Sequence, residues 1–266
     1  MKKIIGMIIV LIVMPSYYFI QKDLDHNEQK ETQSEPTSTF TETLAPSDTF
    51  VEIGDSFVYK DQSIQYMLIF PAKYTKTENQ WPLIFFLHGS SLRGENLDLV
   101  KEYGPTWIAE QRLDFPFVVL APQCPEGDDW VNKSDILIAL LDDVLKKYRI
   151  DQNRVYLTGV SLGGRGAWSL ASHYLEYFAA LAPLAAASQN IPTNWNKQLL
   201  TIPVWAFHGE KDPIVPLKND EALIDSLRNQ GGTPRFTILP GLGHNIAGVY
   251  KNKELYDWFL SNTRHP

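Results

Sequence analysis

The chain has 266 residues, of which 44% are hydrophobic and 21% charged, a composition typical of a folded domain with a sizeable core. Its formal net charge of −7 argues against a nucleic-acid-binding protein, because phosphates require a basic surface. Cys124 is the one cysteine, which excludes an intramolecular disulfide and a cysteine-based metal cluster.

Residues 1–20 have the pattern of a targeting segment. Lys2 and Lys3 precede an apolar run over residues 4–20. A run of about 17 residues is at the short end of the length that spans a bilayer. Because no small-residue cleavage site follows it, an uncleaved N-terminal membrane anchor is the first interpretation and a cleaved signal peptide the alternative. Both place the rest of the chain outside the cytoplasm, since basic residues favour the inner side.

Residues 21–49 differ sharply in composition from the remainder of the chain. They are rich in Gln, Glu, Thr, Ser and Pro and poor in large apolar residues. Such a segment cannot bury enough surface to offset the entropy lost on ordering. The sequence therefore predicts a disordered acidic linker here, followed by one folded domain over residues 50–266.

In the folded domain, short β-type runs alternate with helix-type stretches, which predicts a mostly parallel sheet with helices on both faces. The first two runs, residues 57–60 and 63–70, are predicted to form an antiparallel pair. Apolar runs typical of strands buried on both faces follow at residues 83–87, 117–120, 155–158, 179–184, 204–207 and 236–239. Helices are predicted over residues 134–148, 166–177, 218–229 and 253–261.

The pattern G-x-S-x-G, here Gly159 to Gly163, marks Ser161 as a candidate nucleophile. The five-residue pattern alone is weak, but a β-rich run leads into it and a helix-compatible run leads out. That context predicts a tight strand–turn–helix with the serine hydroxyl exposed on the turn. The helix after the turn also offers unpaired N–H groups to an anion.

A serine hydroxyl needs a base to take its proton, and His244 is the best candidate among six histidines. It lies in a glycine-rich loop just after the last predicted strand, where it can reach across the carboxyl edge of the sheet. The other histidines are placed in the linker, at the chain end, inside a helix or at strand ends: His26, His265, His173, His88 and His208.

A carboxylate should orient the base, and two candidates follow the strand predicted over residues 204–207. Asp212 is preferred over Glu210 because it follows the turn, whereas Glu210 lies tighter against the strand end. Its role would be to fix the imidazole tautomer and to stabilise the imidazolium.

The developing oxyanion needs backbone donors, for which Ser90 and Leu162 are predicted. Ser90 follows the His88-Gly89 turn after a strand, and Leu162 follows the nucleophile. In the same loop, Arg93 and Glu95 are interpreted as part of a solvated turn, with the rim of the site as the alternative.

Five segments then resemble a known family: LHGSSLRGENL, APQCPEGDDW, RVYLTGVSLGGRGAW, FHGEKDPIVP and LPGLGHN. Their order and spacing are similar to those of bacterial carboxylesterases often described as predicted peptidases, which are related to phospholipase/carboxylesterases, feruloyl-type esterases and the prolyl oligopeptidase catalytic domain. The resemblance covers about residues 50–262. It implies an α/β-hydrolase fold with a mostly parallel eight-stranded sheet, a Ser161–Asp212–His244 triad, and no metal or cofactor.

The chain departs from many relatives after His244, where Asn-Ile-Ala-Gly-Val-Tyr stands and a Trp is common. The stretch between the predicted strands at 179–184 and 204–207 is too short for a large cap domain, which predicts an open site. Such a site suits acyl groups on large molecules such as esterified polysaccharides. Trp130 is a candidate for the lining of the acyl pocket, with ordinary packing as its alternative.

The sequence therefore predicts a carboxylic ester hydrolase that works through an acyl-enzyme. Two alternatives stay open: a serine peptidase of the prolyl-oligopeptidase type, and a catalytically silent, membrane-tethered binding protein. The expected partners are an ester substrate and, through residues 1–20, a membrane.

Overall fold

A computed structural model describes residues 49–186 and 200–264 of the chain, built around an eight-stranded sheet. The strands are β1 (Val51–Tyr59), β2 (Gln62–Phe70), β3 (Trp81–Leu87), β4 (Val118–Gln123), β5 (Ile150–Val160), β6 (Ala180–Leu184), β7 (Trp205–Gly209) and β8 (Arg235–Leu239). The helices are α1 (Pro105–Gln111), α2 (Ser134–Lys147), α3 (Leu162–His173), α4 (Leu217–Asn229) and α5 (Lys253–Leu260).

The strand order is β1-β2-β4-β3-β5-β6-β7-β8. β1 and β2 pair antiparallel along their whole length, and β2 pairs antiparallel with β4. All remaining pairs are parallel. The predicted antiparallel opening pair and the mostly parallel sheet are both confirmed.

The central strands are apolar at consecutive positions because helices cover both faces of the sheet. Alternate side chains of β3 enter two separate cores, with Phe85 on one face and Phe86 on the other. Helices α2, α3 and α4 pack on the first face, and α1 and α5 on the second. This two-sided burial confirms the predicted layering.

The parallel strands place their carboxyl ends along one edge of the sheet, where the loops after β3, β5, β7 and β8 emerge. β7 and β8 pair continuously from Trp205↔Arg235 to Gly209↔Leu239. β6 and β7 pair at Leu184↔Phe207, with one further isolated bridge at Leu181↔Val204.

Two helices differ from the prediction. α3 begins at Leu162, directly after the Ser161 turn, although glycines have low helix propensity. Gly163 and Gly164 lie against neighbouring backbone, and Gly166 lies against the Trp130 side chain, so a larger residue would not fit at these positions. The seven-residue helix α1, begun by Pro105 after Gly104 with φ of 88°, was not predicted. It is too short for a helical periodicity to show in the sequence.

The predicted anchor or signal segment, residues 1–20, lies outside the described residues, as does the predicted linker up to residue 48. Within residues 49–186 and 200–264, no helix combines the length and the apolar character that crossing a membrane requires.

Candidate active site

Ser161 lies on a strained turn between β5 and α3. Its φ of 56° and ψ of −116° place a residue with a side chain in a region that such residues rarely adopt. The turn is held by a hydrogen bond of 2.8 Å from the Ser161 N–H to the carbonyl of Leu184 at the end of β6. The hydroxyl is thereby presented at the carboxyl edge of the sheet.

The glycines of the G-x-S-x-G pattern are required by close backbone packing. A Cβ on Gly163 would overlap the carbonyl of Leu87 at the end of β3, and a Cβ on Gly159 would overlap the backbone of Gly163. A side chain at either position would therefore push the strand and helix apart. This is the close contact that the sequence pattern predicted.

His244 joins Ser161 to Asp212 in a chain of hydrogen bonds. Its Nε2 lies 2.8 Å from Ser161 Oγ, and its Nδ1 lies 2.7 Å from Asp212 Oδ2. An ionised carboxylate only accepts, so Nδ1 carries the proton and Nε2 is left to accept from the serine hydroxyl. This tautomer is the one that can remove the proton of the Ser161 hydroxyl.

Asp212 is fixed by its own backbone neighbours. Its side chain has no exposed surface, and its Oδ1 accepts hydrogen bonds of 2.9 Å from the N–H groups of Ile214 and Val215. Burial alone would raise the pKa of Asp212, but the hydrogen bonds from His244, Val215 and Ile214 outweigh it and hold the pKa below its usual range. The carboxylate is therefore ionised where it faces the imidazole.

Glu210, the other candidate acid, points elsewhere. Its Oε2 accepts a 2.7 Å hydrogen bond from the Gly241 N–H, and its side chain is exposed. The structure thus brings Asp212, and not Glu210, to His244.

The two acids should separate in kinetics. We expect Asp212→Asn to lower kcat by about 10⁴-fold, because the amide favours the wrong imidazole tautomer. Glu210→Gln keeps an oxygen acceptor for Gly241 and should change kcat less than about threefold. Steady-state hydrolysis of a p-nitrophenyl ester measures both variants. Equal losses in the two would refute the assignment of Asp212.

Ser90 and Leu162, the predicted oxyanion donors, both line the cavity that contains Ser161. Leu162 is the first residue of α3, and Ser90 begins the short 3₁₀ turn Ser90–Leu92. The first N–H groups of a helix have no acceptor within it, so both amides are available to a ligand. The Tyr103 hydroxyl accepts a 2.8 Å hydrogen bond from the Gly89 N–H and so steadies the Ser90 loop.

The cavity beside Ser161 has a volume of about 400 Å³ and is lined by both polar and apolar side chains. Arg165 forms an ion pair with Asp129, and Arg93 also lines the cavity, as the rim interpretation of that arginine required. The remaining wall is contributed by Ile214, Val215, Pro216 and Asn219. Among the described residues, no group of histidine, cysteine and carboxylate side chains is arranged to hold a metal ion.

Trp130 lies behind the site and not in it, which corrects the expectation that it lines the acyl pocket. Its side chain is 1% exposed and packs against Gly166 of α3. Its Nε1–H donates a 2.9 Å hydrogen bond to the carbonyl of His88. The ring therefore has no surface to offer a substrate, and the packing alternative holds.

His88 is a second buried support that the sequence did not assign. Its Nε2 accepts a 3.0 Å hydrogen bond from the Cys124 N–H, and its Nδ1–H donates to the Gly89 carbonyl at 2.7 Å. Burial lowers the pKa of His88 to about 4, so the ring is neutral at pH 7. Together, His88 and Trp130 fix the backbone that leads to Ser90.

Truncation of Trp130 should act on stability. We expect Trp130→Ala to lower the free energy of unfolding by about 3–5 kcal/mol because it leaves a large cavity. Trp130→Phe keeps most of the bulk but leaves the buried His88 carbonyl without its donor, which costs about 1–3 kcal/mol. Urea denaturation measures both changes. If the Trp130 variants instead had a raised KM and an unchanged free energy of unfolding, the ring would be assigned to the substrate pocket.

Comparison with known proteins gives sequence relatives that include esterases, and structural neighbours that include both esterases and acylaminoacyl peptidases. A model described as the dienelactone hydrolase family matches residues 129–255. The chain is 27% identical over 198 residues to a probable feruloyl esterase C from Aspergillus flavus, an alignment that covers 71% of this chain and 70% of that protein.

Two solved structures extend the likeness to the fold. A thermostable esterase superposes with a TM-score of 0.71 at 29% identity, covering 82% of this chain and 64% of that one. A ferulic acid esterase superposes with a TM-score of 0.65 at 17% identity, covering 79% and 96% respectively.

Proposed function

We propose that the chain, a carboxylic ester hydrolase with the fold of the α/β hydrolases, cleaves its substrate through an acyl-enzyme on Ser161. The observation that carries the proposal is the pair of hydrogen bonds, 2.8 Å and 2.7 Å, that connects Ser161 through His244 to Asp212. The hydrogen bonds run from the proposed nucleophile to the base and from the base to the orienting acid. Acyl transfer by a serine requires this arrangement.

Acylation begins when His244 Nε2 takes the Ser161 proton while Oγ attacks the ester carbonyl carbon. The carbonyl oxygen becomes an oxyanion, which the N–H groups of Ser90 and Leu162 stabilise. His244 then returns the proton to the leaving alcohol as the ester C–O bond breaks. Water repeats the sequence on the acyl-enzyme and releases the carboxylic acid and free Ser161.

The proposed substrate is an ester on a larger molecule, such as a feruloyl or acetyl group on a polysaccharide. Two observations support this class. The curated relatives include proteins named as feruloyl esterases. The connection between β6 and β7, residues 185–204, is also too short for a large cap over the cavity. We propose an extracytoplasmic location on the pattern of residues 1–20.

A fluorophosphonate probe tests the nucleophile directly. The folded wild-type protein should be labelled at one site, and Ser161→Ala should abolish the labelling. Ser172→Ala is the matched control, because Ser172 lies near the end of α3 and bonds only locally, to the Ser169 carbonyl and His173. Absence of labelling in folded wild-type protein would overturn the proposal. Labelling that persists in Ser161→Ala would mean that another residue is the nucleophile.

Matched substrates test the bond that is cleaved. A p-nitrophenyl ester and a peptide p-nitroanilide with the same acyl group should differ strongly, with hydrolysis of the ester far faster. An equal or faster reaction with the anilide would favour the serine peptidase alternative. Feruloyl and acetyl esters of oligosaccharides, compared with simple alkyl esters, then test the proposed substrate class.

A further inference from the structure

A second histidine lies directly behind the orienting acid of the site. His208 is in β7, four residues before Asp212, and is completely buried. Its Nε2 lies 3.4 Å from Asp212 Oδ2, the same oxygen that accepts from His244. Nothing in the mechanism described above uses this ring.

The contacts of His208 determine how many protons it carries. Its Nδ1 lies 2.6 Å from Asp220 Oδ2, and its Nε2 lies 2.9 Å from the Val215 carbonyl oxygen. A carbonyl oxygen accepts and cannot donate, and so does an ionised carboxylate. Asp220 Oδ2 also accepts from the Ala186 N–H at 3.2 Å. With an ionised Asp220 as its partner, His208 carries hydrogen on both ring nitrogens and is an imidazolium.

The charges around His208 agree with this proton count. Burial disfavours the cation, but the hydrogen bond and charge of Asp220 on α4, the Val215 carbonyl and the charge of Asp212 raise the pKa of His208 above its usual value. Among the described residues, Asp220 and Asp212 are the titratable groups in contact with the ring. The neighbouring Glu210 and Lys211 are exposed to solvent.

We propose that His208 is a positioning residue for the site. It is a buried imidazolium whose charge Asp220 neutralises. It holds Asp212 in place and weakens the attraction of the Asp212 carboxylate for the proton on His244. The inference rests on the proposed function of Ser161, His244 and Asp212. A cation on the far side of Asp212 offsets part of the negative charge that His244 senses. It therefore keeps the imidazole a weaker base than Asp212 alone would make it.

The pH dependence of kcat/KM tests this role, because its acid limb reports protonation of the essential base in the free enzyme. His208→Gln keeps a neutral donor near Nε2 and removes the charge. Without the cation, His244 should hold its proton more strongly, so we expect the acid limb to move to higher pH by about 0.5–1 unit. His173→Gln is the control, since His173 is exposed and bonds locally to Ser169 and Ser172, and its acid limb should stay in place.

An acid limb of folded His208→Gln that coincides with that of the wild type would overturn the proposal, whatever the loss of stability. NMR of the wild-type protein with ¹⁵N-labelled histidine gives a test that needs no variant to fold. Both His208 nitrogens should show the shifts of protonated nitrogen between pH 6 and 8. One unprotonated nitrogen there would also overturn the proposal. Failure of the proposed function would appear separately, as the absence of fluorophosphonate labelling.

Discussion

Replacing His244 by alanine is expected to lower kcat for ester hydrolysis by about 10⁴–10⁶-fold. The imidazole is the group within hydrogen-bonding distance of Ser161 Oγ that can take its proton, at 2.8 Å. Without it, the hydroxyl stays protonated and attacks too slowly. The activity that remains should come from substrate binding and the oxyanion donors alone. Steady-state hydrolysis of a p-nitrophenyl ester measures the change.

The control for this variant is the next residue along the chain. Asn245→Ala alters an exposed side chain of the same loop and should keep kcat within about threefold of the wild type. Circular dichroism spectra of both variants should match that of the wild type, since His244 contributes little to the core. If His244→Ala retained more than about one hundredth of wild-type kcat, another group would have to serve as the base.

Replacing Gly163 by alanine should have the largest effect on folding. The new methyl group would overlap the carbonyl of Leu87, which is backbone in the middle of the fold and cannot move aside as a flexible side chain can. We expect a loss of more than about 4 kcal/mol in the free energy of unfolding, and correspondingly little soluble protein. Guanidinium unfolding and the soluble yield together measure it.

Gly248 offers the matched control. A Cβ at Gly248 meets no atom within 4 Å, and the residue is not among those with positive φ. Gly248→Ala should therefore unfold within about 1 kcal/mol of the wild type. A Gly163→Ala protein with the wild-type unfolding midpoint would mean that the strand and helix can separate without cost at this turn.

Much of the fold could be predicted because strands that are buried on both faces of a sheet are apolar at consecutive positions of the sequence. Strands such as β3 and β5 contain continuous apolar runs, and the glycines around Ser161 exist because backbones touch there. The order of Ser161, Asp212 and His244 along the chain also follows from topology, since each residue comes after a parallel strand whose carboxyl end lies at the same edge.

The supporting residues could not be predicted, because their roles depend on which way a side chain points. His88, His208 and His244 all lie at or just after the ends of strands, and the sequence does not distinguish them by neighbours alone. Only the packing shows that the rings of His88 and His208 are enclosed, whereas that of His244 lies against the Ser161 hydroxyl. Trp130 is a similar case, because an aromatic ring in a loop near a site can line that site or lie beneath it.

The sparse pairing between β6 and β7 has a consequence for heat inactivation. Ser161 belongs to the β5 side of this boundary, whereas Asp212 and His244 follow β7 and β8 on the other side. Local opening begins where backbone pairing is weakest, and separation of these two halves by even a fraction of an ångström lengthens the bond between base and nucleophile. Warming should therefore abolish activity at a lower temperature than it unfolds the helices and strands. The activity that remains at each temperature then reports whether the two halves of the sheet are still paired.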